Sequence, residues 1–175
     1  DAQNAFTFIE EQLSFGPRNP NSTGHDKALN FLSSKLSEFA DQVDLQNFEY
    51  PGYQGERLSL TNIIAKFNPT IKNRILLCAH WDTRPWADEE LNVKNQLKPI
   101  IGANDGASGV AVLLEIARVI SESKLSYGVD IVLFDGEDYG KKNELINYCL
   151  GSKYFSVSLA EEQNPNFAIL LDLVG

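Results

Sequence analysis

Residues 131–138 read IVLFDGED, an apolar run that ends abruptly in three acidic residues. Two other stretches have the same form: residues 75–79 lead into His80, and residues 167–171 lead into Asp172. Continuous apolar runs of this length are typical of strands that are buried on both faces. The pattern predicts three interior strands, each followed directly by ionisable side chains.

Three helices are predicted around these runs. Apolar residues at helical spacing predict a first helix over residues 2–14, which Gly16-Pro17 should end. A second amphipathic helix is predicted from one apolar stripe, formed by Leu29, Leu32, Leu36 and Phe39. Residues 107–121 contain few long polar side chains, and they predict a third helix that is covered on most sides.

The remaining segments complete an α/β architecture. Residues 43–50 and 58–67 roughly alternate in polarity and predict two early strands that pair antiparallel. Strand, helix and strand in succession imply right-handed crossovers, and therefore a mostly parallel mixed sheet sandwiched by helices. The sequence shows no internal repeat, low-complexity segment or linker, so residues 1–175 are predicted to form one domain.

The composition is that of a globular protein with an acidic surface. Of 175 residues, 43% are hydrophobic and 22% are charged, and 24 acidic residues against 15 basic ones give a net charge of -9. This balance argues against a nucleic acid or an anionic membrane as partner and favours a cationic metal or ligand. No apolar run approaches the roughly 20 residues of a membrane span, and no basic-then-apolar leader is present. We expect a soluble chain, or a mature form whose signal was removed, in a secreted or periplasmic location.

Ionisable side chains should meet at one edge of the sheet. Because the carboxyl ends of parallel strands share an edge, five residues are expected to converge there: His80, Asp105, Glu137, Asp138 and Asp172. So many carboxylates would repel one another unless a cation neutralised them. An imidazole with several carboxylates suits zinc or a similar divalent metal. Asp82, two residues after His80, is placed to hold the imidazole from behind.

Each of these residues has a simpler interpretation when it is taken alone. Asp105 and Asp135 could be helix N-caps or turn residues, and a lone His80 is more often a packed histidine than a ligand. Their coincidence favours a metal site, since capping requires neither a Glu-Asp pair after one strand nor a His-x-Asp after another. We interpret His25, which has no companion carboxylate motif, as structural.

The two cysteines, Cys78 and Cys149, carry little information about the compartment. They are too few for a disulfide framework and lack the paired spacing of a zinc ribbon. Because free cysteine is commonly interior, we interpret both as buried thiols rather than as a bridge.

Several motifs of this sequence occur together in one known pattern. They are Gly16-Pro17-Arg18, His80-Trp81-Asp82-Thr83, GANDGASG at residues 102–109, Asp135-Gly136-Glu137-Asp138 and Leu171-Asp172. Jointly they resemble the superfamily that contains the co-catalytic zinc aminopeptidases and the glutaminyl cyclases. The resemblance runs over nearly the whole chain and implies a zinc-exopeptidase-like catalytic domain.

The resemblance also implies a role for each residue of the site. Asp105 would be a metal ligand, bridging if two metals bind, Asp138 a ligand of one metal, and Glu137 the proton shuttle. In the aminopeptidase pattern His80 and Asp172 hold the other metal. In the animal-type cyclase pattern a single zinc is kept and the residue matching Asp172 serves catalysis by hydrogen bonding. The metal-binding set is thus Asp105, Asp138 and His80, with Glu137 and Asp172 as catalytic residues.

The segment after Asp138 favours the cyclase. In typical aminopeptidases a Gly-Ser follows the acidic pair within a few residues, whereas here residues 139–150 precede Gly151-Ser152, an insert similar to that of glutaminyl cyclases, including bacterial ones. Trp81 and Trp86 either wall a small apolar pocket for a cyclising glutamine or are ordinary packing aromatics. We predict a glutaminyl-peptide cyclotransferase with one zinc, acting on peptide or protein N-termini. The alternative is a zinc aminopeptidase with two zinc ions.

The family's pattern and this sequence differ at one point. The family places a last histidine ligand well downstream of the Asp172 strand, and this sequence ends at Gly175. Three interpretations stand. The sequence is the N-terminal part of a longer enzyme, a separate C-terminal chain or segment supplies the ligand, or the protein is a degenerate, non-catalytic module that binds metal or peptide.

Overall fold

Five strands form one mixed sheet in the computed structural model, which describes residues 1–142, 144–159 and 164–175. The strands are β1 (Gln42–Pro51), β2 (Arg57–Phe67), β3 (Arg74–His80), β4 (Gly128–Phe134) and β5 (Phe167–Leu170). Their order across the sheet is β1-β2-β4-β3-β5. β2 pairs antiparallel with β1 and β4, whereas β3 pairs parallel with β4 and β5. The mixed α/β sheet and the antiparallel pairing of the two early strands were correctly predicted.

Helices pack on both faces of this sheet, with α2 (Thr23–Phe39) and α3 (Gly109–Ser121) on one face and α4 (Leu150–Ser158) on the other. α1 (Ala2–Ser14) packs against α3. α1 has the predicted bounds and is followed by Gly16, which adopts a positive φ of 82°. α2 begins at Thr23 because the Ser22 hydroxyl accepts a hydrogen bond from the backbone N–H of His25. Within the described ranges, no helix has both the length and the apolar character that crossing a membrane requires.

The two faces of the sheet carry separate cores. Alternate side chains of β4 point to opposite faces, so Ile131 and Leu133 join α2 and α3 in the larger core. Val132 and Phe134 instead pack with Phe155 of α4 on the other face. α3 is covered on most sides, as predicted, and its buried residues are Gly109, Val110, Ala111, Leu113, Leu114, Glu115 and Ala117. Because both faces are covered at β4, the carboxyl end of that strand is where it is open to a ligand.

β5 departs from the prediction that all three apolar runs are buried on both faces. Phe167, Ile169 and Leu170 are 52%, 45% and 62% exposed. β5 lies at the edge of the sheet and pairs with β3 alone, and among the described residues no element covers its outer side. The prediction of burial was wrong for this strand. An apolar run indicates a preference for a core and does not show whether a neighbouring element is present to supply one.

Candidate active site

His80, Asp105 and Asp172 meet at the carboxyl edge of the parallel strands. His80 is the last residue of β3, Asp172 follows β5, and Asp105 lies in the loop before α3. His80 Nε2 lies 2.9 Å from Asp105 Oδ1 and 3.6 Å from Asp172 Oδ1. One ligand atom from each of the three residues lies within 4.8 Å of the others, a separation that allows them to share a metal ion.

The His80 nitrogen that faces these carboxylates fits a metal ligand. His80 is buried, and Nε2 makes no well-aligned hydrogen bond with any group in the described part of the chain, although Asp105 Oδ1 lies close. A buried nitrogen without a well-aligned hydrogen bond needs an explanation, and a divalent cation that replaced its proton would provide one. An imidazole nitrogen and two carboxylate oxygens are donors that zinc accepts. The residues present therefore fit a zinc ion.

The charges around His80 favour a cation at the same place. Burial lowers the pKa of His80, but the neighbouring Asp105 and Asp82 outweigh burial and raise that pKa to about 11. His80 in return lowers the pKa of the Asp105 carboxyl. Without metal, the imidazole thus holds a proton at neutral pH, and a metal ion that binds Nε2 must displace it.

An irregular turn, Ala103–Ser108, brings Asp105 over His80. Within it Gly106 has a φ of 90°, and a Cβ there would lie 2.8 Å from the carbonyl oxygen of Asp82 and 3.3 Å from Cε1 of His80. Only glycine combines this backbone conformation with so close an approach. The glycine of the Asn-Asp-Gly sequence is therefore what allows the carboxylate to reach the imidazole.

Asp82 links His80 to the acidic loop that follows β4. Its side chain is fully buried, and its Oδ1 lies 3.4 Å from Nδ1 of His80. The same oxygen accepts a hydrogen bond from the N–H of Glu137 at 2.9 Å, and Oδ2 accepts one from the N–H of Asp138 at 3.2 Å. One carboxylate thus lies behind the imidazole and also fixes the backbone of the Glu137–Asp138 pair.

Glu137 and Asp138 face different neighbours. Glu137 Oε1 accepts a hydrogen bond from the thiol of Cys149 at 3.4 Å, and burial raises the pKa of Glu137. Asp138 Oδ1 lies 2.8 Å from Nη1 of Arg84, and among the described residues Asp138 is not part of the group around His80. Burial raises the pKa of Asp138 to about 7 although Arg84 opposes this. Its assignment as a ligand stays a prediction, because the carboxylate must either share Arg84 with the metal or leave it.

Two arginines at the site had not been recognised as functional in the sequence. Arg84 holds Asp138 and also forms two bonds, of 2.8 and 2.7 Å, with the carboxylate of Asp88. Arg18 is fully buried and donates hydrogen bonds of 2.9 to 3.0 Å to the carbonyl oxygens of Trp81, Ile101 and Gly102. It thereby joins the loops that carry His80 and Asp105. The Gly16-Pro17-Arg18 motif was the only signal for this role.

The two tryptophans lie in different surroundings. Trp81 is fully buried, stacks on His25 with ring centroids 4.4 Å apart, and donates its Nε1–H to the carbonyl oxygen of Thr61. It is a packing residue. Trp86 is half-buried between Tyr53 and Tyr139, each with its ring centroid 5.6 Å away, and lines a cavity of about 400 Å³. The described lining of that cavity includes none of the His80, Asp105 and Asp172 side chains, so a substrate pocket at Trp86 stays a prediction.

His25 has the companion carboxylate that the sequence did not reveal. Its Nε2 lies 3.0 and 2.9 Å from the two oxygens of Asp135, and both side chains are buried. Asp135 Oδ2 also accepts a hydrogen bond from the N–H of Thr61 at 2.7 Å. Asp135 is therefore not a simple helix cap: it ties α2 and β2 to the start of the acidic loop.

An imidazole and carboxylates gathered at the parallel edge of a mixed sheet define a candidate metal centre in an α/β domain. The family model described as Peptidase family M28 matches residues 62–175, and the chain belongs to that family. The predicted resemblance is thereby confirmed.

Relatives with known names extend this finding. The chain is 27% identical to a glutaminyl-peptide cyclotransferase of Bos taurus over 90% of this chain and 48% of that protein. It is 44% identical, with a TM-score of 0.95, to Bacteroides thetaiotaomicron glutaminyl cyclase bound to N-acetylhistamine. It is 37% identical, with a TM-score of 0.94, to a Zn-dependent exopeptidase from Parabacteroides distasonis. Each of these two structures is matched over 100% of this chain and 62% of its own length. The chain therefore spans about half of the curated relative and less than two thirds of the solved ones.

Proposed function

We propose that this chain forms the metal-binding part of a zinc-dependent glutaminyl-peptide cyclotransferase. The observation that carries the proposal is the path of the chain after Asp138. Tyr139 packs against Trp86 and Tyr53 beside the cavity, and the chain then returns to the acidic loop at Cys149. This long excursion is the feature that separates the cyclase pattern from the aminopeptidase pattern. The names of the bovine and Bacteroides relatives support the same assignment.

The proposed reaction closes a ring at a peptide N-terminus. The α-amine nitrogen of an N-terminal glutamine forms a bond to its own side-chain carbonyl carbon, and the bond from that carbon to the amide nitrogen breaks. One proton passes from the attacking amine to the departing ammonia. Glu137 is suited to carry this proton, since burial raises its pKa and brings it nearer to neutral pH. Asp172, 41% exposed beside His80, is available to orient the amine by hydrogen bonding.

Zinc, when bound, supplies polarisation of the side-chain carbonyl. The residues proposed to hold it are Asp105, Asp138 and His80. Of these, His80 and Asp105 already lie together, whereas Asp138 would have to share Arg84 with the ion or leave it. A single ion suffices for ring closure, because the nucleophile is the substrate's own amine. We further propose that a remaining ligand comes from outside these 175 residues, in a C-terminal segment or a separate chain. The greater length of the solved relatives supports this inference.

The second candidate function is a zinc aminopeptidase. It is favoured by the His80–Asp105–Asp172 group, which together with Asp138 would offer two metal positions that share Asp105. In that reaction Glu137 would take a proton from the attacking water, and a peptide bond would break instead of a side-chain amide. The resemblance to the Parabacteroides exopeptidase fits either chemistry.

The assay that separates these functions uses the full-length natural protein. Peptides that begin with Gln and with Leu are offered to one preparation, and ammonia and free amino acids are followed separately, with bound zinc counted. The cyclase releases ammonia from the Gln peptide, leaves both peptide bonds intact and contains one zinc ion. Release of free leucine without ammonia from the Gln peptide would establish the aminopeptidase. Zinc binding without either product would identify a non-catalytic module.

A secreted or periplasmic location is part of the same proposal. Peptide and protein N-termini are the expected substrates there, and neither a nucleic acid nor a membrane is an expected partner. The net charge of -9 supports the exclusion of polyanionic partners. Fractionation of the source cells tests the location, with the protein expected outside the cytoplasmic fraction.

A further inference from the structure

Cys149 occupies a backbone conformation that its residue type does not favour. It precedes α4 with a φ of 57° and a ψ of 38°, in the left-handed region. Glycine, asparagine and aspartate adopt this region most readily, whereas other side chains do so at some cost in free energy. Since backbone preference does not explain a cysteine at this position, we expect an interaction of its side chain to explain it.

The side chain of Cys149 contacts the residue proposed to transfer the proton. Its Sγ lies 3.4 Å from Oε1 of Glu137, and because a carboxylate can only accept, the thiol is the donor. Burial and the Glu137 charge raise the pKa of Cys149, so the thiol keeps its proton at neutral pH. Cys78 has no such contact, because it is buried under α4 and faces the carbonyl oxygen of Ile169.

The backbone on either side of Cys149 is joined to the acidic loop. The N–H groups of residues 149, 150 and 151 donate to the carbonyl oxygens of residues 137, 136 and 135, at 2.8, 3.1 and 2.9 Å. A Cβ on Gly151 would lie 2.4 Å from the carbonyl oxygen of Asp135, so the two segments approach as closely as glycine permits. The start of α4 therefore sets the position of the loop, and the thiol adds a bond to its side chain.

We propose that Cys149 is a positioning residue that holds the Glu137 carboxylate through a thiol hydrogen bond. The bond occupies Oε1 and restricts the rotation of the Glu137 side chain, which leaves Oε2 to face the substrate. The N–H of Glu137 donates to Asp82, and its carbonyl oxygen accepts from the backbone N–H of Cys149, so the backbone of Glu137 is fixed on both sides. Only its side chain is left to rotate, and the thiol hydrogen bond restricts that rotation. This inference rests on the proposed role of Glu137 in proton transfer.

Three variants at position 149 test the proposal in the complete enzyme. Cys149→Ala and Cys149→Gly remove the donor, and we expect kcat to fall roughly 5- to 20-fold with KM and zinc content unchanged. Cys149→Gly suits the positive φ, so its Tm should stay within about 3 °C of the wild-type value while its kcat falls. Cys149→Ser keeps a donor and should retain at least about half of the wild-type kcat. A kcat within twofold of wild type for both Ala and Gly variants would overturn the proposal.

A second measurement tests the contact without any turnover. Iodoacetamide labelling of Cys149 is followed by mass spectrometry in the wild type and in Glu137→Gln, with the buried Cys78 as internal control. Removing the neighbouring charge lowers the thiol pKa, so labelling of Cys149 should become at least about threefold faster while Cys78 stays unchanged. An unchanged rate at Cys149 would show that the two side chains do not interact.

The two measurements keep failure of this inference apart from failure of the proposed function. An inactive wild type with faster labelling in Glu137→Gln rejects the cyclase and keeps the thiol contact. An active wild type whose Ala and Gly variants match it keeps the cyclase and rejects the positioning role.

Discussion

At the scale of single residues, Glu137 is the one whose role can be tested most directly. Its backbone is fixed by Asp82 and by the start of α4, so replacing the side chain should not disturb the fold. We expect Glu137→Gln to lower kcat by roughly 100-fold or more, the scale of a lost general acid or base. Stopped-time assays of ammonia release, with zinc content and Tm measured on the same samples, check this.

A matched control for that substitution lies on α1. Glu10 is an exposed glutamate far from the site in the chain, and Glu10→Gln makes the same chemical change. Its kcat should stay within the error of the wild-type value. Near-normal turnover by Glu137→Gln would remove this residue from the mechanism.

The site residues that could be predicted from the sequence lie in local patterns, whereas the others act through contacts between residues far apart in the chain. His80, Asp105 and Asp172 follow recognisable runs or turns, and the structure brings them together. Arg18 and His25 act on acceptors 63 to 110 residues away, and no local period or spacing records such a contact. The sequence marked Arg18 only through the Gly16-Pro17-Arg18 motif and indicated only that His25 is structural, and the partners of both became visible only in the fold.

At the scale of elements, the link between α2 and β4 is the feature to test. His25 lies in the first turn of α2, and Asp135 directly follows β4, so their ion pair joins a helix to the acidic loop. His25→Gln and Asp135→Asn should each lower the free energy of unfolding by about 2–4 kcal/mol. Each substitution leaves the other side chain buried without the opposite charge that compensates it. The double variant should lose less free energy of unfolding than the two single variants lose together, by at least about 1 kcal/mol. Urea unfolding of all four proteins measures this coupling.

The same pair gives a pH dependence with a definite sign. Burial opposes protonation of His25, but Asp135 outweighs it and raises the pKa of His25 above its ordinary value of 6.5. Burial also raises the pKa of Asp135, so the ion pair is lost at acid pH once that carboxylate takes up a proton. Between that protonation and pH 6.5 the stabilisation from His25 is present, and it is lost as pH rises through the raised pKa of His25. The stability difference between wild type and Asp135→Asn should therefore shrink as pH rises above 6.5. A difference that grows over that range would contradict the ion pair.

The elements themselves were predictable to different degrees. α1, α2, β1 and β2 follow from local periodicity, since the repeat of apolar side chains is set by which face is buried. β3, β4 and α3 follow instead from stretches that are apolar almost throughout. The turn Ala103–Ser108 was not predictable in detail, because its shape depends on the contact of Gly106 with Asp82. The exposure of β5 was not predictable either, since a neighbouring element decides it.

At the scale of the whole molecule, the site predicts a link between metal and stability. If zinc binds the folded state alone, free zinc at 100 times its Kd adds about 2.7 kcal/mol to the free energy of unfolding. Thermal unfolding with zinc and with a chelator should therefore differ in Tm, and binding at neutral pH should release a proton from His80. Asp105→Asn should abolish most of the Tm difference. Equal Tm values in zinc and chelator would contradict a zinc site in this domain.

The open side of β5 has a consequence for the behaviour of these 175 residues in solution. Within the described part of the chain, the outer edge of β5 has no strand paired to it, so its backbone N–H and C=O groups can bond to another strand. The exposed side chains of Phe167, Ile169 and Leu170 also make this edge apolar. Another copy of the chain can add its own strand there, so a solution of this segment by itself is expected to self-associate as its concentration rises. A lysine placed at Ile169 would act as a gatekeeper against that assembly without entering the active site.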